Sequence, residues 1–154
     1  MFKVIFTSLV LFSVGMLLFF FGFSDSYKYS MEARMKYFLG EYKEARILAK
    51  KAFDIDPYNK MAFSILAQSK ISASLVDYVK DSDKYLQKIE ELSAKQDFSD
   101  RDKIKIKMMT EVMIEKFHKL NPTVMTDKEL YAQCIKRYKK FKTIYEKLFQ
   151  SSKE

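Results

Sequence analysis

Apolar residues return along this chain at the spacing of a helix face, and the first run of them is unbroken. From Val4 to Phe23 there is no charged side chain. At ~1.5 Å per residue, a run of about 20 residues matches a hydrocarbon layer ~30 Å thick. It predicts a transmembrane helix retained as an uncleaved signal anchor. Thr7, Ser8 and Ser13 are compatible with insertion, since a hydroxyl can bond back to a carbonyl one turn earlier. After Phe23 no sustained strand alternation occurs, and helical periodicity takes over. Tyr29, Ala33 and Tyr37 step by four, and Ala45, Leu48, Ala49 and Ala52 follow. Phe63, Leu66, Ala67 and Ile71 form a third stripe, and Tyr85, Leu86, Ile89, Leu92 and Phe98 a fourth. Ile104, Met108, Val112, Met113, Phe117 and Leu120 make the fifth; Leu130, Cys134, Tyr138, Phe141, Tyr145 and Leu148 make the sixth.

Boundaries come from local chemistry. Asp56-Pro57 reads as a helix start, because proline at the first helical position lacks only a donor that would be unpaired anyway. Ser99 or Asp100 caps the fifth helix, and Thr126 with Glu129 has capping-box spacing for the sixth. The expected fold is therefore all-α: an N-terminal transmembrane helix, then about three stacked antiparallel helical hairpins. Residues 1–24 form the anchor, 25–150 the helical-repeat domain and 151–154 a short tail.

Composition narrows the chemistry. One Cys excludes an internal disulfide framework, and one Cys with one His excludes a His/Cys zinc site. Three Gly in 154 residues exclude Gly-rich phosphate loops. Cys134 falls on the apolar stripe of its helix and reads as a small buried hydrophobe. His118 has no sequence-visible partner for acid–base work, and Asp81/Asp83 and Glu90-Glu91 read as exposed helix faces. No enzyme activity, metal, cofactor, small-molecule substrate or nucleic acid is expected.

Charge is uneven. Formal net charge is +8, with a balance of +1 over residues 1–100 and +7 over 101–154. Lys136, Arg137, Lys139, Lys140 and Lys142 form a candidate basic face on the last helix, with Tyr138, Phe141 and Tyr145 between them. Around the apolar run, Lys3 precedes it and Lys28, Arg34, Lys36 and Lys43 follow. Counting positive charge would keep the C-terminal side in the cytoplasm, but long domains translocate with little regard to charge. The reading is a single-pass inner-membrane protein, contacting the bilayer through residues 4–23, with its remaining domain outside the cytoplasm. A cytoplasm-facing orientation is the alternative.

Gly40-Glu41-Tyr42-Lys43-Glu44-Ala45, with Ala49, Ala52, Asp56-Pro57 and Asn59, resembles the second helix of a tetratricopeptide repeat. Gly40 permits the reversal, and small Ala45 and Ala52 permit close helix approach. One repeat spans about 26–59. A partial second opens at Lys60, with Phe63, Leu66 and Ala67 in matching positions, but Ser74 stands where the turn glycine belongs and Val79 where the packing alanine does. The resemblance implies an α-solenoid whose first helices line a concave groove. Carried over, it places Tyr27, Ser30, Arg34, Tyr37 and Phe38 in one unit and Met61, Ser64, Gln68 and Ile71 in the next. The function expected is a membrane-anchored adaptor or scaffold binding another protein through this surface. The alternative is a membrane-surface module whose basic last helix meets anionic lipid headgroups.

Overall fold

Helix is the only regular structure among the described residues of the computed structural model. It describes the backbone of residues 2–150 and the side chains of 5–17 and 24–149. The elements are α1 (Phe2–Phe23), α2 (Asp25–Phe38), α3 (Tyr42–Ile55), α4 (Lys60–Ser93), α5 (Asp100–His118) and α6 (Lys128–Tyr145). A π-helical turn, Glu146–Gln150, follows α6. The chain divides into two compact units, residues 1–70 and 71–154, with the boundary inside α4.

The membrane expectation is corrected. Among the described residues no helix is long and apolar enough to cross a membrane. The side chains described in α1, Ile5 to Leu17, are apolar or hydroxylated and exposed. The transmembrane anchor at 1–24 and the single-pass placement, in either orientation, are withdrawn. The predicted tail, 151–154, lies outside the described residues.

In the first unit, α2 and α3 form an antiparallel hairpin. Gly40 makes the turn with φ +78°, a left-handed conformation that costs glycine nothing. Ala33, Ala45, Ala49 and Ala52 are wholly buried, so no bulky side chain holds the two helices apart. Tyr37, Leu48, Met61 and Leu66 pack around Ala33, Ala49 and Ile65. The hairpin is also stitched at its surface. Lys51 donates to the Tyr29 hydroxyl at 2.7 Å and lies 3.9 Å from a tyrosine ring centroid, that of the same Tyr29. Lys36 pairs with Glu41 across the turn.

The expected count of hairpins does not hold. The third and fourth predicted helices are one, the 34-residue α4. Neither Gly nor Pro occurs between Lys60 and Ser93, so nothing ends the helix where a repeat would turn. Ser74, in place of the turn glycine, bonds back to the Ile71 carbonyl at 2.7 Å and the helix continues. Pro57 sits in the turn before α4 rather than in its first helical position, and Asn59 is the capping residue. Ser99 caps α5 in a reciprocal box with Asp102. At α6 the cap is Asp127, which accepts from the amides of Glu129 and Leu130; Thr126 instead accepts from the Thr123 amide.

In the second unit, Leu75, Tyr78, Ile89, Leu92, Ile106, Met113, Cys134 and Phe141 form the core. Phe117 sits beside it, stacked on Tyr138 with centroids 4.3 Å apart. Two ion pairs clip the helices together at the surface. Lys116 of α5 meets Asp81, and Arg137 of α6 grips Asp83 through two bonds of 2.8 and 2.9 Å. Asp81 and Asp83 thus tie neighbouring helices to α4, instead of standing on a solvated face.

Candidate protein-binding surfaces

A buried polar node decides which side of α2 is available. Asn59 Nδ2 donates to Ser26 Oγ at 2.9 Å and Ser30 Oγ at 3.3 Å, while its Oδ1 accepts the amides of Met61 and Ala62, each at 3.1 Å. Ser26 passes its own proton to the Ala52 carbonyl at 2.8 Å. Asn59 therefore joins α2 to the start of α4, and Ser26 extends the node to the end of α3. Ser30 belongs to this node and is wholly buried, so it cannot line a groove.

The other residues expected at the groove scatter. Tyr27 is half-buried. Tyr37 is half-buried too, its ring edge-on to Phe38 and to Tyr42. Met61 packs against the small core. Ser64 is exposed and accepts a bond from half-buried Gln68 at 3.3 Å. Ile71 lies in the second unit. Only Arg34 and Phe38 come together in the open, the guanidinium 5.6 Å from the Phe38 ring centroid, within range of a cation–π contact.

Around that pair are residues the sequence reading passed over. Met31, Met35 and Leu39 are exposed, as is Phe38 at 73%. Their steps of three and four make a second apolar stripe on α2, turned away from the stripe of Ala33 and Tyr37. The signal was present in the sequence. The repeat register picks out Arg34 and Phe38 but not Met31, Met35 and Leu39 beside them.

On α6 the basic face shrinks. Arg137 is consumed by Asp83, whose carboxyl it holds below the usual range; Asp83 raises the guanidinium in return. Lys142 pairs with Glu146 at 3.7 Å. Lys136, Lys139 and Lys140 remain exposed, and among the described residues no carboxylate lies at ion-pair distance from them.

The buried chemistry of the second unit is inert. Cys134 donates weakly to the Leu75 carbonyl at 3.7 Å, and burial pushes its thiol up to about 11, far from thiolate reactivity. His118 is exposed, its ring edge-on to Phe117 and Tyr138. Among the described residues no three His, Cys, Asp or Glu side chains gather to hold a metal. Burial likewise pushes the Tyr78 phenol up to about 12, against the lowering influence of Ser82, and neither hydroxyl meets full hydrogen-bond geometry.

A prediction follows from that unpaired phenol. Tyr78→Phe removes a hydroxyl that gains nothing from burial, so stability near neutral pH should change by less than about 1 kcal/mol. The raised native value also means that the unfolded phenol ionises first. Stability is therefore untouched by this phenol below pH ~10 and falls as pH rises from there through the native value of about 12. Phenolate absorbance during a pH titration should show the latest tyrosine step missing in Tyr78→Phe. A loss above 2 kcal/mol at pH 7 would show instead that the hydroxyl has a partner.

No family model matches the chain, and no curated protein or solved structure matches it significantly.

Proposed function

We propose that this chain is an all-helical adaptor that docks a partner protein on the outward face of α2. The observation that carries the reading is the exposed stripe of Met31, Met35, Phe38 and Leu39, with Arg34 laid over Phe38. Aromatic and Arg side chains are the most frequent anchors of protein interfaces, and methionine adapts to irregular partner surfaces. The hairpin beneath supplies the rigidity a docking face needs. Its alanine contacts, the Gly40 turn and the Asn59 node hold the backbone of α2 in place, so little ordering cost remains at binding. The likeness of residues 26–59 to a tetratricopeptide repeat supports the same reading, since hairpins of that kind serve as protein-docking units.

A photo-crosslinking residue placed at position 35 tests it in cells. A discrete protein adduct is expected, absent when Arg34→Ala and Phe38→Ala are combined and helicity is unchanged. The same probe at exposed Arg46 on α3 is the reference position. No adduct from position 35, or an equally strong one from position 46, overturns the assignment.

A further inference from the structure

We infer that the groove between the C-terminal half of α4 and α5 docks an acidic amphipathic helix of a partner protein. This site lies in the second unit and is independent of the α2 face. α5 is apolar on two sides. Ile106 and Met113 face the core, whereas Ile104, Met108 and Val112, spaced by four, face out; Met108 is 61% exposed. A helix that packs only against its own fold needs one apolar stripe, so the second is free to serve a partner.

Beside that stripe, α4 and α5 enclose a groove of about 500 Å³. Its floor is Leu92, Met108 and Met109, and its walls carry Lys88, Lys95 and Lys105 against a single acid, Glu91. The three lysine side chains are themselves about half exposed. Lys88 reaches Glu91 at 3.4 Å, while Lys95 and Lys105 share Asp102 at 3.3 and 3.8 Å. Asp102 is already committed to the Ser99 capping box, and that bond is the chief cause of its lowered carboxyl. An incoming carboxylate can therefore reach these half-exposed ammonium groups, and Asp102 keeps its capping bonds to Ser99 when Lys95 and Lys105 turn to the partner.

Shape and charge select the occupant. From Ile104 to Val112 the outward stripe runs about 12 Å, the length of roughly two turns of a facing helix. An apolar floor between basic walls fits a helix with apolar residues at i, i+3, i+4 and i+7 and carboxylates beside them. A second copy of this chain is a poor occupant, because its net charge of +8 brings lysine against lysine.

The test uses the full chain and a labelled twelve-residue peptide with leucine at those four positions and glutamate elsewhere. Fluorescence anisotropy at low salt should show saturable binding that weakens as salt rises. Met108→Glu should weaken it at least tenfold, as should Lys88→Glu combined with Lys105→Glu, while Leu9→Asp in α1 leaves it unchanged. All four positions are exposed, so the variants should keep their helicity. Lack of binding, equal binding of a lysine-for-glutamate peptide, or affinity indifferent to Met108→Glu each overturns the inference. So does retention on acidic phospholipid vesicles that the same variants abolish while the peptide stays unbound, which would assign the groove to lipid.

Discussion

Phe141→Ala is expected to lower the stability of the unit spanning residues 71–154 by about 3–5 kcal/mol, the cost of emptying a fully occupied aromatic site. Phe141 is wholly buried, and α6 buries only two residues completely, Cys134 and Phe141. Cys134 is small. The Arg137–Asp83 clip has an exposed carboxylate, which limits such an ion pair to about 1 kcal/mol. The phenyl ring is therefore the main apolar anchor of the helix. Its loss opens a cavity in the core it shares with side chains of α4 and α5. Denaturant unfolding followed by helix circular dichroism measures the loss, and hydrogen exchange should accelerate first in α6. A cost below 1.5 kcal/mol, with α6 still protected, would show that the helix is held by something else.

Asn59→Leu should cost the first unit about 2–4 kcal/mol, although leucine keeps the same branched skeleton. The substitution deletes four hydrogen bonds at once, each contributing ~0.5–1.5 kcal/mol, and strands the buried amide of Ala62. It also removes the cap of α4. Ser30→Ala is the matched control. Its hydroxyl holds the weaker bond to Asn59, at 3.3 Å, and its loss should cost about 1 kcal/mol or less. If Asn59→Leu proves as mild as Ser30→Ala, the asparagine is only a turn residue and the node is not cooperative.

Much of the helical content was legible because amphipathic periodicity is a local property. The Tyr29–Ala33–Tyr37 and Ala45–Ala49–Ala52 stripes, the reversal at Gly40 and the Ser99 start of α5 all rest on residues within a turn or two of each other. Errors arose where an absence had to be read. The repeat template asked for a turn near Ser74, yet with no glycine or proline there the backbone had no reason to stop hydrogen bonding. At Pro57 and Thr126 a plausible capping residue lost to a neighbour, Asn59 or Asp127, whose side chain reached the free amides.

The surfaces were less legible than the helices. Lys136, Lys139 and Lys140 are exposed, as a basic face requires, but Arg137 from the same run turns to Asp83, fifty-four positions earlier. Ser30, placed in a groove by its register, is a buried hydrogen-bond partner. In each case an exposed and a buried role call for the same residue type, and only the neighbour across the helix decides between them.

What the sequence alone determined is the set of helix faces: spacing of apolar side chains, one flexible glycine, and caps whose acceptors lie within three residues of the amides they serve. Tertiary structure decided which of two apolar stripes on α2 and on α5 is covered, and which charges are spent holding helices together. The physical reason is range. A helix closes its hydrogen bonds four residues away, whereas burial and ion pairing depend on side chains brought together from distant parts of the chain.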